Sequence, residues 1–226
     1  MNANADVLQR SELIGSRTRE VALTQVGVVR ETNEWNPEDF AREQIRGLVQ
    51  RVFFMGGSQT VRQVVFSAVG SNTGVANICD HVGQALALET RAHVAIVGRE
   101  HRAWGKGAIK SWSTQAAVNL WRVPGFSRRE CGEESGTGPY WLARLSELRN
   151  QFEYAVIHGP AAGISSEAAL LGQLADGIIL VLGAHSTRRA TARKIKETLE
   201  GAQSRILGTV LSERRFPVPE RIYHRL

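Results

Sequence analysis

The sequence predicts an α/β domain with a doubly wound, mostly parallel sheet and helices on both faces. Three observations carry this reading. Runs that are almost wholly apolar, at 64–68, 92–97, 154–157 and 177–182, recur along the chain. Strands of that kind belong to parallel sheets covered on both sides. Between them lie segments with helical spacing, and alternation of strand and helix is the signature of βαβ units. The third observation is the stretch 64–86, VVFSAVGSNTGVANICDHVGQAL, in which a strand meets the bend Gly70-Ser71-Asn72-Thr73-Gly74 and then a helix. Strand, glycine bend and helix form the layout in which loop amides and a helix N-terminus face an anion.

Taken in order, residues 1–36 are polar, with only a weak alternation over 21–29, and read as a flexible N-terminal arm to a single domain at 37–226. Pro37 suits the first position of a helix, and Glu38 and Asp39 complement its dipole. Phe40, Ile45, Leu48, Val49, Val52 and Phe53 then recur at helical spacing up to Gly56-Gly57. The strand at 64–68 and the helix at 74–88 follow, then a second strand at 92–97. Residues 101–113 read as a loop holding Arg102, Trp104, Lys106, Lys110 and Trp112. A third strand, 118–123, is expected to stop at Pro124-Gly125, with 127–139 a surface loop. Trp141, Leu142, Leu145 and Leu148 mark a helix, and strand 154–157 ends at His158-Gly159-Pro160. The helix over 165–175 takes Ser165 or Ser166 as its cap. Strand 177–182 is followed by a helix from a Ser186 cap to Gly201, with Ala192, Ile195, Leu199 and Ala202 inward. The sixth strand is 206–211. Ligands of such sheets sit beyond the C-terminal strand ends, which gathers 70–74, 98–100, 158–159 and 184–187 as the candidate site.

Composition narrows the function classes. The chain has 226 residues, enough for one α/β domain, and a formal net charge of +6. Of its 28 lysines and arginines, only Lys106, Lys110, Lys194 and Lys196 are lysines. Such a balance permits nucleic acid, anionic lipid or an acidic protein as partner, and bears on association rather than fold. The longest apolar runs are too short to span a bilayer. Asp6, Glu12 and several arginines at the start do not fit signal-peptide organisation. Cys79 and Cys131 form neither a disulfide framework nor a metal-site spacing. The expected location is cytoplasmic, at the periphery of the inner membrane if the chain meets lipid.

Several segments, in order, carry a resemblance. They are Glu43-Gln44-Ile45-Arg46-Gly47-Leu48, then Ser67-Ala68 with Gly74 and Ala85-Leu86-Ala87, then Tyr154-Ala155-Val156-Ile157. Ala175-Asp176-Gly177-Ile178-Ile179-Leu180-Val181, Gly208-Thr209-Val210-Leu211 and Phe216-Pro217-Val218-Pro219 through Tyr223 complete the set. Over about 43–226 the chain resembles the cytoplasmic, P-loop NTPase-like domain of bacterial exopolysaccharide and capsule tyrosine kinases, kin to the deviant Walker A partition ATPases. The resemblance implies ATP-dependent tyrosine kinase chemistry, and it locates where this chain departs. Val75 stands at the Walker A lysine and Ala76 at the magnesium-binding Ser/Thr. Gly98 stands at the second-strand aspartate, His158 at the Walker B aspartate, and Ser212 where an asparagine often lies near the base. Tyr223 is the candidate phosphoacceptor, where the family carries a tyrosine cluster.

The departures have a physical meaning. In the family's chemistry the lysine neutralises β- and γ-phosphates, the hydroxyl holds Mg²⁺, and the acids hold the metal's waters. A hydrogen bond to a charged group is worth about 1.5–3 kcal/mol, so three losses cost about 5–9 kcal/mol, roughly 10³–10⁶ in affinity. Amides of 71–74 can still form an anion nest. No cofactor is therefore expected, while weak nucleotide binding without Mg²⁺ stays open. The leading expectation is a catalytically degenerate P-loop domain of exopolysaccharide synthesis. Its partners would be the cytoplasmic segments of a membrane chain-length (co-polymerase) protein or a related active kinase, with further copies of itself and the membrane surface as other candidates. One alternative is a residual tyrosine autokinase acting on Tyr223, Tyr140 or Tyr154. Another is a partition-type nucleic-acid module, disfavoured because no groove-reading helix or stacking platform is evident.

Individual candidates also have plainer readings. Gly70 and Gly74 are explained by turn geometry alone. His158 has the pKa range of a base, yet a polar residue ending a strand is more often simply hydrogen-bonded. Cys79, with His81 and His158 as imaginable co-ligands, lies on the apolar stripe of its helix and reads as a buried thiol. Arg188, Arg189, Arg193, Lys194 and Lys196 are interrupted by Glu197 and Glu200 and read as a solvated helix face.

Overall fold

The computed structural model describes residues 36–55, 60–70, 74–101, 109–111, 113–125 and 137–213, all within one unit, Asn36–Leu226. The arm at 1–35, the loop positions 71–73, most of the tryptophan segment (102–108 and 112), the loop at 126–136 and the segment 214–226 lie outside the described residues.

Asn36 opens α1 (Pro37–Val49) by accepting a 2.9 Å hydrogen bond from the Glu38 amide, with Pro37 and two acids in the first turn. This satisfies an orphan donor and complements the helix dipole. One π-turn (Gln50–Phe54) continues α1 and buries Val52 and Phe53. Next come β1 (Gln63–Ala68), α2 (Val75–Thr90), β2 (Val94–His101) and a 3₁₀ turn (Ile109–Ser111). The hairpin strands β3 (Thr114–Ala117) and β4 (Leu120–Gly125) lead to α3 (Thr137–Gln151) and β5 (Tyr154–His158). The chain continues through α4 (Glu167–Leu174), β6 (Gly177–Gly183), α5 (Arg189–Gly201) and β7 (Ile206–Ser212).

The strands form one seven-stranded sheet in the order β3-β4-β2-β5-β1-β6-β7. Every pairing is parallel except β3 with β4. Alternation along β1 divides the core in two. Val64, Phe66 and Ala68 meet α1 and α2 in a cluster with Val49, Phe53, Cys79 and Leu86. Val65 faces the other layer, where Trp141, Leu145 and Leu148 of α3, Leu171 of α4 and Ile195 and Leu199 of α5 pack. The expected doubly wound, mostly parallel sheet with helices on both faces is therefore the architecture.

Two contacts fix how the layers meet the sheet. Asp176, just before β6, accepts from the amides of Arg62 and Gln63 at 2.8 Å each and from the Arg149 guanidinium at 2.8 Å. It ties the starts of β1 and β6 to the end of α3. Gly83 is the point of closest approach of α2 to the sheet, since a Cβ there would lie 2.5 Å from the Ile96 side chain. Substituting Gly83→Val is expected to cost about 1–3 kcal/mol, read as a fall in the midpoint of urea unfolding, because the buried contact has no room to relax.

Three local expectations are corrected. The third strand is a hairpin, and β3 (TQAA) is exposed at every position, so no apolar pattern marks it. Asn119, with a positive φ of 60°, turns the chain between β3 and β4. Pro124 continues β4 instead of ending it, because it lies past the last β3 pair, Thr114 with Arg122, and proline is tolerated where one side of a strand has no partner. Ser186 does not cap α5. The amides of Ser186 and Thr187 donate to the Gly183 carbonyl while the Thr187 hydroxyl accepts from the Gly183 amide, so both residues build a turn, and extended Arg188 is the cap position. At α4 the bonding hydroxyl is that of Ser165, which accepts from Glu167 N at 3.2 Å.

Candidate phosphate-loop site and an adjoining groove

The sheet register brings the predicted strand-end residues to one level. Val65 of β1 and Val97 of β2 both pair with Ile157 of β5. Phe66, Gly98 and His158 therefore stand side by side, one step further along. Gly98 is inside β2 rather than beyond its end, a correction to the expectation that β2 stops at Val97. The pairing of β2 with β4 shifts register between Val97 and His101, so regular pairing ends at the same level. His158 is half-buried, and the next amide, Gly159, donates to the Phe66 carbonyl at 2.9 Å. The following loop is fastened to β1: Ser67 Oγ donates to the Pro160 carbonyl at 2.6 Å, and Ala162 N donates to Ala68 O at 2.8 Å.

Across this crest the chain leaves β1 through Val69, whose amide donates to Val181 O at 3.1 Å, and Gly70. Ser71, Asn72 and Thr73 lie outside the described residues. Gly74 re-enters with φ at +63°, the left-handed conformation that favours glycine, and immediately precedes α2. Val75 is the first residue of α2 and is 5 % exposed, a member of the α1–α2 apolar cluster. Ala76 is exposed. Three helix positions on, Cys79 is buried, and desolvation, helped by the neighbouring Asp80 charge, pushes its thiol far above the ordinary range. It is an inert core thiol. His81 is exposed on the same helix, and no group of three or more His, Cys, Asp or Glu able to hold a metal occurs among the described residues.

Of the tyrosines, Tyr154 is half-buried in β5 with its ring edge-on to Phe53 at 5.8 Å. Tyr140 packs against Trp141 on α3. Tyr223 lies outside the described residues. Two cations of α5 form i,i+4 pairs, Arg193 with Glu197 at 3.1 Å and Lys196 with Glu200 at 3.3 Å, as on a solvated helix face.

Sequence reasoning missed a groove beside the loop. It encloses about 760 Å³ between α1, the first turn of α2 and β7. Phe40, Ile45, Leu48, Ile78, Val210 and Leu211 make it apolar, and Glu43, Gln44, Arg51, Asn77, Thr209, Ser212 and Glu213 supply its polar lining, with both signs of charge. Gly74 lies on its wall. Leu211 is 55 % exposed although it sits in a strand of the sheet. The alternating burial of β7 was the available signal, masked because its apolar residues also fit a fully covered strand.

No protein-family model matches the chain. Among curated proteins it is 32 % identical over 74 residues to the tyrosine-protein kinase CpsD of Streptococcus agalactiae, a match covering 33 % of this chain and 32 % of the relative. A tyrosine-protein kinase of Bacillus subtilis, YwqD, matches at 28 % over 77 residues, 34 % of this chain and 32 % of that relative. Among solved structures, the kinase domain of the Escherichia coli tyrosine kinase Etk superposes with a TM-score of 0.60, covering 79 % of each chain at 13 % identity. In sequence the chain is similar to these bacterial tyrosine-protein kinases over about a third of its length, and in fold to a tyrosine kinase domain. The match spans about a third of the length of the curated relatives. The chimerical protein CapA2B2 shares the fold with a TM-score of 0.63 and 17 % identity, covering 77 % of this chain and 85 % of that one. The wider fold extends to MinD of Aquifex aeolicus, with a TM-score of 0.55 and 14 % identity over 73 % of each chain.

Proposed function

We infer that this chain is a catalytically degenerate member of its kinase kin. It would act in exopolysaccharide or capsule synthesis as an adaptor for a membrane chain-length protein or a related active kinase. The observation that carries the reading is Val75. In a phosphate loop the lysine follows the glycine that opens the helix, and here the residue after left-handed Gly74 is a valine packed into the core. The other positions support it: Ala76 brings no hydroxyl, Gly98 no side chain, and His158 no carboxylate to hold the waters of a metal. These residues do not fit Mg·ATP as a phosphate loop holds it, and no phosphoryl-transfer step is assigned to them. The fold itself is intact, with both core clusters filled, which is what a docking function requires.

The matched relatives are named tyrosine kinases, and that favours residual autokinase activity as the second reading. Mass spectrometry after incubation with Mg·ATP separates the two, an added phosphate on Tyr223 or Tyr140 supporting the second. The adaptor reading is tested by interferometry between the full chain and the cytoplasmic segments of the chain-length protein from the same organism. Binding is expected to be equal with and without ATP. Binding that requires ATP, or no binding at all, counts against the adaptor role.

A further inference from the structure

We propose that a second copy of this chain docks on β7, its own β7 running antiparallel about a two-fold axis at Val210, so that two seven-stranded sheets become one. β7 is the last strand of the sheet, and among the described residues no strand pairs with its outer edge. From Gly208 to Ser212 its register against β6 is regular. This stretch, GTVLS, carries no charge, no proline and no bulge, the devices by which edge strands avoid pairing. The Ala184 amide donates to the Ser212 carbonyl, so Ser212 turns its backbone groups toward β6. Alternation then leaves the N–H and C=O groups of Thr209 and Leu211 facing outward. Both residues are exposed, Leu211 to 55 %.

This edge is complementary to itself. Thr209 and Leu211 flank Val210, so a two-fold axis there sets Thr209 of each copy opposite Leu211 of the other, and each such pair exchanges both backbone bonds. Val210 then meets the second copy's Val210 as a non-hydrogen-bonded pair, whose side chains stand close. Charge agrees with the antiparallel sense. α1 runs from the crest toward the strand starts, because Arg46 reaches Glu89 near the end of α2 at 3.2 Å and Phe53 meets Tyr154 at the start of β5. The axis sets Glu213 of one copy level with Leu207 of the other, at the end where α1 carries Arg51 and where Arg205 precedes β7. Arg51 and Glu213 both line the α1–β7 groove, and neither has an ion-pair partner among the described residues. Glu43, the remaining charged group of the groove, is already 3.6 Å from Arg46. On the other face, α5 packs beside β7. Arg188, Arg189 and Lys194, which form no ion pair among the described residues, lie toward its crest end. The same axis separates them from their copies and turns them toward the end that holds Glu197 and Glu200. The dimer does not depend on the adaptor reading.

Sedimentation velocity on the full chain, over a dilution series, is the first test. A reversible dimer is expected, and a monomer at every concentration overturns the proposal. Leu211→Lys places a charge on the free edge and leaves the β6 side of the strand intact, so it is expected to weaken association about tenfold or more. Should that variant fail to fold by circular dichroism, Thr209→Lys reads the same edge. A dimer that survives a folded edge variant unchanged is formed through another face and overturns the proposal. Disulfide trapping then reads the axis. In a Cys131→Ser background, with Cys79 buried, Val210→Cys is expected to close a bond between copies under mild oxidation, because residues paired on the axis lie within disulfide reach. A folded Val210→Cys chain that gives no disulfide-linked dimer overturns the proposal.

Discussion

Replacing Asp176 by alanine is expected to lower the unfolding free energy by about 2–4 kcal/mol, read as a shift of the urea midpoint at constant slope. Its carboxylate accepts two backbone amides and one guanidinium, and its side chain is only 17 % exposed. Alanine leaves the Arg62 and Gln63 amides without that acceptor, and Gln63 is 2 % exposed, so water cannot replace the bond there. Gln63 is itself anchored, its side-chain amide donating to Leu145 O at 2.8 Å, which couples the loss to α3. Asp176→Asn retains one acceptor oxygen and is expected to lose about half as much. Arg149 is 43 % exposed, so Arg149→Ala is expected to cost well under 1 kcal/mol through its ion pair alone. A large effect at Asp176 beside a small one at Arg149 identifies the amide bonds, not the ion pair, as what holds the start of β1.

The second large effect is at Val75. Restoring the lysine of a phosphate loop by Val75→Lys is expected to destabilise the domain by about 2–4 kcal/mol and to yield no phosphate release from Mg·ATP. Val75 is 5 % exposed and belongs to the cluster of Val49, Phe53 and Phe66. An ammonium there must either be buried among hydrocarbon or strain outward, and it sits at a helix N-terminus, where the dipole disfavours a cation. One cation also cannot replace the missing hydroxyl and acids. Thermal unfolding and a phosphate-release assay on the same preparation read both halves of the expectation. Gain of hydrolysis without loss of stability would mean that Val75 is a surface position of an otherwise competent site.

Much of the fold was legible because its strands are buried on both faces. Val64, Val65 and Phe66 are each fully buried, on alternate sides of β1, and such a run has only one common explanation. β3 was not legible, since TQAA at an exposed edge carries no apolar signal at all. The cap of α5 was misread because Ser186 and Thr187 spend their polar groups on the turn at Gly183, a choice set by the tertiary path of the chain. At the candidate site, Gly98 and His158 were grouped in sequence only by their places at strand ends, and the register, with Val97 opposite Ile157, sets them at one level. The burial of Val75 and the groove beside it did not follow. Both depend on how α1 lies across α2 and β7, and no periodicity within α1 encodes its partner.

What the loop between β1 and α2 does with a nucleotide decides between an adaptor and an ATP-using enzyme. Isothermal calorimetry of the full chain titrated with Mg·ATP addresses this directly. With a core valine after Gly74 and no acid at Gly98 or His158, no saturable heat is expected up to about 1 mM, a binding free energy weaker than about −4 kcal/mol. Saturable binding in the micromolar range that disappears when the magnesium is chelated would contradict it.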